Sequence, residues 1–283
     1  MTTIRLDLRE RLVRRYRQAR RLAYRAVNPV DALVRRINGL ERYPPIHLRR
    51  QVGCLGDIGG AGPEFVTYLK LLAGLKAGQS LWDVGCGCGF LELALEQARW
   101  KGRLVGTDIH RPSIEWAQRT ITRRMPDVRF MHADIRNAAY WPEGKLSAGE
   151  WLAGFAERDF DLVVAKSLFT HMLPDELDLY LKAISTRLKP SGTALITCFV
   201  LNPTQEALRA SNRITFTKPA RDSVYAVRHL AAPTAAVAYD ESYLTERVRE
   251  NGFTVRDAMH FGYWTGRQDG LSFQDILVLH KTR

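Results

Sequence analysis

Residues Leu81 to Phe90 read Leu-Trp-Asp-Val-Gly-Cys-Gly-Cys-Gly-Phe, an apolar run that meets Asp83 and then glycines at 85, 87 and 89. Glycine lets a backbone turn sharply and approach a ligand without interference from a Cβ. The helix expected from Phe90 to Ala98 points its positive N-terminus at the same place, so a nucleotide-like cofactor would sit here. The dinucleotide fingerprint Gly-x-Gly-x-x-Gly fails, because Phe90 holds the place of the third glycine counted from Gly85. The phosphate loop Gly-x-x-x-x-Gly-Lys-Ser/Thr fails too, since no Lys or Ser/Thr follows. Asp108 lies 19 residues after Gly89, at the tip of an expected strand Arg103 to Thr107. A carboxylate there can accept both hydroxyl protons of a ribose. Asp134 follows a third expected strand, Val128 to His132, and each of these acids could instead cap a helix or sit in a solvated loop. His171 follows a fourth strand, Phe160 to Ala165, and its imidazole titrates near neutrality. It could serve as a base, or it could orient the helix that begins at Pro174.

These residues need a scaffold that brings strand ends together, and the chain supplies one. Strands Ser80 to Val84, Arg103 to Thr107 and Val128 to His132 alternate with helices Phe90 to Ala98 and Pro112 to Arg124, the pattern of parallel β-α-β units. Asn137 to Arg158, rich in Gly, Ser and charge, reads as a loop before the fourth strand. The helix from Pro174 has Asp175 and Glu176 in its first turn and Leu177, Leu181, Ile184 and Leu188 on one face, and it stops at Lys189-Pro190-Ser191-Gly192. A fifth strand runs from Thr193 to Val200. Leu201 to Tyr239 lacks sustained periodicity and contains Pro203, Pro219 and Pro233, so it reads as an insertion over the active site. Helix Glu241 to Glu250 and strands Thr254 to His260 and Asp275 to Leu279 finish the chain.

The chain has 283 residues with 46% hydrophobic content, enough for one full core. Residues 1 to 50 contain 14 Arg, no Lys and four acids, so +10 of the net +12 belongs to this arm and +2 to the remainder. In it Leu8, Leu12, Tyr16, Ala19, Ala23, Ala26 and Val30 recur at helical spacing, with Asn28-Pro29 expected to break one helix and cap a second. Such an arm could pack on the domain with its Arg in solvent, attach peripherally to an anionic membrane, or contact nucleic acid. No apolar run approaches the roughly 20 residues that span a bilayer, so a cytoplasmic protein, at most peripheral at the inner membrane, is expected. Cys86 and Cys88 lie in the glycine loop and Cys54 and Cys198 are isolated, a pattern of reduced thiols. No spacing of Asp, Glu or His stands out as a metal site, and no repeat or low-complexity segment is present.

The glycine loop resembles motif I of class I S-adenosylmethionine-dependent methyltransferases, Asp-x-Gly-x-Gly-x-Gly, matched by Asp83, Gly85, Gly87 and Gly89. The resemblance implies an α/β fold: a Rossmann-like, doubly wound seven-stranded sheet, mostly parallel, with the antiparallel last strand, Gln274 to Leu279, between strands five and six. It implies S-adenosyl-L-methionine as cofactor, with Asp83 near the methionine ammonium, Asp108 at the ribose, Asp134 and Ile135 at the adenine, and Ile109 also in the cofactor site. Lys166 completes the implied cofactor set. Tyr43-Pro44-Pro45-Ile46-His47-Leu48-Arg49-Arg50, Ser167-Leu168-Phe169-Thr170-His171, Thr197-Cys198-Phe199-Val200-Leu201-Asn202, Tyr239-Asp240-Glu241-Ser242-Tyr243, and Trp264-Thr265-Gly266-Arg267 with Gln274-Asp275-Ile276 resemble a bacterial subgroup associated with glycan or natural-product tailoring. The similarity spans residues 43 to 283; the arm before Tyr43 has none.

A methyltransferase of this kind performs in-line displacement on the sulfonium methyl, chiefly by aligning donor and acceptor and excluding water. For a hydroxyl of a sugar, glycan or glycosylated metabolite a base helps, and His171 is the candidate. His260, Tyr263, Trp264 and Arg267 form a second cluster that could hold a polar acceptor, or a structural corner between the last two strands. Arg213 and Tyr225 of the insertion are further candidates. The amino-methylating tetrapeptide Asn/Asp-Pro-Pro-Tyr/Phe is absent, replaced by Ala165-Lys166-Ser167-Leu168, which favours an oxygen acceptor. The alternatives are an RNA or other nucleic-acid methyltransferase, against which the small charge outside the arm speaks, an NAD-dependent oxidoreductase lacking its third glycine, and a non-catalytic scaffold.

Overall fold

The structure is a computed structural model and describes residues 19, 22–50 and 59–282. Its centre is a seven-stranded sheet built from β1 (Ser80–Val84), β2 (Arg103–Asp108), β3 (Val128–His132), β4 (Phe160–Ala165), β5 (Leu188–Cys198), β9 (Phe253–Val255) and β10 (Asp275–Lys281). Their spatial order is β3-β2-β1-β4-β5-β10-β9. The pairs among β1 to β5 are parallel, and β10 runs antiparallel between β5 and β9, as expected. Parallel strands covered by helices on both faces read as continuous apolar runs. All five residues of β1 are buried accordingly. Side chains alternate between two cores: Leu81, Leu104, Leu162 and Leu195 pack on one face with α3 (Ala61–Leu71) and α4 (Phe90–Gln97). Trp82, Val105, Val163 and Ile196 pack on the other with α7 (Pro174–Arg187) and α9 (Glu241–Glu250). α5 (Arg111–Thr120) joins the first core through Ile114 and Ala117.

Where the sequence promised only a loop, Asn137 to Arg158 contains α6 (Ala148–Gly154). Its signal was in the sequence: Ser147 and Glu150 form a capping box, each side chain bonding the other's backbone N–H. The segment Leu201 to Tyr239 is also more ordered than its lack of periodicity suggested. β6 (Val200–Leu201), β7 (Tyr225–Val227) and β8 (Val237–Asp240) make a second, three-stranded sheet in the order β6-β8-β7, with α8 (Pro203–Ala207) capped by Asn202. Strands this short do not display a period. β5 begins at Leu188 rather than Thr193, passing through Ser191 in the left-handed region at φ 60°.

Two expectations about the arm are corrected, while Leu8, Leu12 and Tyr16 lie outside the described residues. Residues 22–37 form one helix, α1, that runs through Asn28-Pro29 without a break. Pro29 is exposed, so solvent can satisfy the Arg25 carbonyl that loses its helical donor, and Asn28 bonds the His47 ring at 3.0 Å instead of capping. The second correction is the buried face. Ala23, Ala26 and Val30 point to solvent, and the helix meets the domain through its polar side. Asp31 bonds Arg49 at 2.7 Å, Arg35 at 2.9 Å and the backbone N–H of Ile46 at 3.1 Å, at the start of α2 (Ile46–Arg49). Burial alone would raise the Asp31 carboxyl, but the Arg49 and Arg35 guanidinium groups hold it below its ordinary value. Tyr43 and Leu48 belong to the first core, so residues 43–50 are part of the domain and not of a separate arm.

Candidate active site

The C-terminal ends of β1, β2 and β4 open on one cavity of about 610 Å³. In doubly wound sheets this is where ligands bind. Between β1 and α4 the three glycines have φ of 79°, 56° and 78°, a conformation that penalises any other residue by roughly 1–2 kcal/mol. At Gly89 a Cβ would also lie 2.5 Å from Ile121 Cδ1. The loop is tied to β2: the N–H groups of Gly85 and Cys86 donate to the Thr107 carbonyl at 2.7 and 3.1 Å, and that of Gly87 to Asp108 Oδ2 at 2.9 Å. The other Asp108 oxygen accepts the N–H of His110 at 2.7 Å. One acid therefore shapes the glycine loop and the turn after β2 together.

Asp83 lies buried at the end of β1. Burial, with help from the negative field of Asp108, pushes its carboxyl up to about 7, against the pull of the Lys166 ammonium. Beneath it Glu92 of α4 is fully buried, and burial keeps this acid protonated well above its ordinary value. Asp108 is likewise raised by burial, opposed by the two backbone N–H groups it accepts. Two carboxyl groups at one apolar cavity floor make an environment that favours a cation.

The opposite wall is built from β4 and from segments far away in the chain. Ser167, at φ 56°, turns the chain out of β4 and is held by its N–H on Thr197 Oγ1 at 2.7 Å. Strain at such a turn is a feature of functional sites. His171 lines the cavity with its Nδ1 2.9 Å from the Thr234 carbonyl, and the Tyr140 hydroxyl stands at the ring edge, 3.3 Å from Nδ1 and 3.4 Å from Nε2. A carbonyl can only accept, so Nδ1 bears the proton and Nε2 keeps its lone pair. Burial lowers the imidazole below its usual value, so the ring is neutral at neutral pH. Asn137, Trp151, Glu176, Tyr180 and Gln274 complete a polar and aromatic wall.

Of the residues singled out in the sequence, Asp83, Gly85, Gly87, Asp108, Ile109, Ile135, Lys166 and His171 line this cavity. Gly89 sits behind it as the N-cap of α4. Asp134 is not in the wall: its carboxylate accepts the indole N–H of Trp141 at 3.3 Å, and its carbonyl accepts the N–H groups of Lys145 and Leu146. The second cluster is elsewhere. Trp264 is fully buried and gives its indole N–H to Asp275 at 3.0 Å, because a buried indole needs an acceptor. Arg267 pairs with Asp269 at 2.7 Å, Arg213 lies over the Tyr263 ring at 5.2 Å, and His260 bridges Ile276 through its backbone. Tyr225 belongs to the small sheet. The structural corner is thus the role the geometry supports for this group. The insertion stands behind His171, reaching it through Thr234, and does not roof the cavity. Tyr140, Trp151, Glu176 and Tyr180 were missed because nothing local marks them. Arg50 and Gln274 lie within the quoted subgroup motifs and could have been found there. Among the described residues no group of three or more His, Cys, Asp or Glu is arranged to hold a metal.

Residues 82–192 match a family model described as a methyltransferase domain. Among solved structures the chain is similar to the 1,6-didemethyltoxoflavin-N1-methyltransferase of Burkholderia thailandensis with bound 1,6-didemethyltoxoflavin and S-adenosylhomocysteine, at 20% identity and TM-score 0.52, covering 90% of this chain and 91% of that one. It is also similar to an O-methyltransferase family protein of the same organism, at 16% identity and TM-score 0.50 over 77% of this chain. The match covers 55% of that protein's length. At these identities the likeness is one of fold.

Proposed function

We propose that this chain, whose residues 82–192 match a methyltransferase domain, is a class I S-adenosylmethionine-dependent methyltransferase that methylates a hydroxyl of a sugar, glycan or glycosylated metabolite. The observation that carries the reading is the arrangement of one cavity, with Asp83, Asp108 and a glycine turn on one side and, on the other, a neutral imidazole whose lone pair is on Nε2. S-adenosylmethionine has no phosphate but carries an ammonium and a sulfonium, which suits carboxylates where a phosphate loop is absent. Gly85 lines the cavity with backbone alone at φ 79°, where a Cβ would press within 3.3 Å of Leu168 Cδ1. When bound, the cofactor supplies an electrophilic methyl group on its sulfonium. Asp83 would hold the ammonium, Asp108 the ribose hydroxyls, and Ile109 and Ile135 the apolar faces. His171 would take the acceptor's proton through Nε2, while Thr234 holds the other ring nitrogen and Tyr140 steadies the ring edge. Asn137, Trp151, Tyr180 and Gln274 suit a polar ring-shaped acceptor, and the subgroup resemblance with Ala165-Lys166-Ser167-Leu168 after β4 supports oxygen over nitrogen.

A radiolabelled methyl-transfer assay on lysate, fractionated into nucleic acid, protein, lipid-linked glycan and small molecules, tests the acceptor. Label in a glycan or small-molecule fraction is expected. Label that enters only nucleic acid and vanishes after nuclease treatment would refute the reading.

Cofactor binding should also be pH-dependent through Asp83. Its folded value of about 7 lies above the ordinary 3.8, so the folded protein keeps this proton after the unfolded chain has lost it. The stability contributed by the group therefore falls as pH rises from about 4 to about 7. A cationic ligand favours the ionised form, so affinity for S-adenosylmethionine is expected to rise between pH 6 and 8 with release of a proton. Calorimetry in buffers of different ionisation enthalpy measures both, and an affinity flat across this range in wild type would separate Asp83 from the ammonium.

A further inference from the structure

We propose that α1 docks the protein peripherally on an anionic bilayer surface. Ten large hydrophobic side chains are exposed among the described residues, and six of them, Leu22, Val27, Val30, Leu33, Val34 and Ile37, lie on this one helix. At about 100° per residue they fall within an arc of about 140°, with Ala23 and Ala26 inside it, the width of a buried helix face. Ile37 is 75% exposed and Val30 62%, and even the least exposed of the six, Val27, keeps 45%. The outward orientation is built in. Asn28, Asp31 and Arg35 on the opposite side fasten the helix to residues 43–49, and the buried Asp31–Arg49 pair allows little rotation.

Charge selects the occupant. The first 50 residues hold 14 Arg against four acids, and Arg25 and Arg36 are exposed beside the edge of the stripe, where long side chains can reach headgroup phosphates while the aliphatic face enters the interface. A second copy on the same face would bring together two segments 22–50, each with six Arg against two acids, and like charge within a Debye length of about 8–10 Å opposes association. Nucleic acid would engage the arginines and leave the aliphatic stripe in water. No helix among the described residues is long and apolar enough to cross a membrane, so the helix lies in the interface plane. Arg50 stacks over Tyr24 of α1 at 5.0 Å and also lines the active-site cavity, so the docked helix borders the cavity rim.

The test is sedimentation of the full chain with vesicles of phosphatidylcholine alone or mixed equally with phosphatidylglycerol, alongside Val30→Glu/Ile37→Glu. Both positions are exposed, so the variant should keep the wild-type melting temperature; Val27→Ser/Leu33→Ser is a second, milder variant. Wild type is expected to partition onto the anionic vesicles on the order of tenfold more strongly than onto neutral ones, with salt weakening the preference. Each variant should lose most of this binding. Equal partition of wild type and variants, or of wild type onto both vesicle types, would overturn the proposal. So would a dimer in vesicle-free solution that the variants convert to monomer, which would assign the stripe to a second copy.

Discussion

His171→Ala is expected to lower the methyl-transfer rate about 100-fold while leaving the affinity for S-adenosylmethionine within about twofold. The effect follows from position and tautomer. His171 lines the cavity beyond β4, and the Thr234 carbonyl at 2.9 Å holds the proton on Nδ1 and leaves Nε2 as the acceptor. Burial lowers the imidazole below 6.5, so the base form persists to lower pH than in a free histidine, and the rate should fall only as pH drops through that depressed value. Single-turnover kinetics with the acceptor found by the labelling assay measures the step. Tyr140→Phe should cost less, since its hydroxyl makes only long contacts, of 3.3 and 3.4 Å, to the two ring nitrogens. A histidine that merely supports the loop behaves differently: its loss would lower the melting temperature and leave the rate of the folded enzyme unchanged, and that pattern would return His171 to a structural role.

Asp275→Ala is expected to be the most destabilising single change described for this chain, by about 3–5 kcal/mol. Asp275 opens β10 with no exposed surface and accepts the N–H groups of Val200 and Gly262, each at 2.6 Å, and the Trp264 indole N–H at 3.0 Å. Removing it leaves three buried donors without an acceptor in the corner that joins the small sheet to the large one. Asp275→Asn keeps an acceptor oxygen and should recover part of the loss. Urea unfolding followed by tryptophan fluorescence reads both, and a change below about 1 kcal/mol for the alanine variant would show that this corner does not depend on the carboxylate.

These two residues also mark different limits of sequence reading. His171 is recognisable because it follows a strand whose apolar run is unmistakable, and the end of such a strand faces the ligand side of a parallel sheet. Asp275 lies inside a quoted motif, yet its task could not be read, since its partners stand 11 and 75 residues away in sequence. Trp264 shows the same limit from the other side: it stood in a cluster that could hold a polar acceptor or form a structural corner, and only its complete burial identifies it as packing.

The sequence by itself determined the strands of the central sheet, the glycine turn and the acids at 83 and 108, because these depend on local rules. A buried parallel strand must be apolar along its length, a left-handed turn must be glycine, and a carboxylate at a strand tip meets the adjacent loop's N–H groups. Tertiary structure alone decided which distant residues share the cavity wall, since Arg50, Tyr140, Trp151, Glu176 and Gln274 come from separate segments with no common period. It also decided the orientation of α1. Helical periodicity locates an apolar face but not its partner, and here the buried ion pair of Asp31 and Arg49 turns the polar face inward and leaves the apolar face to solvent.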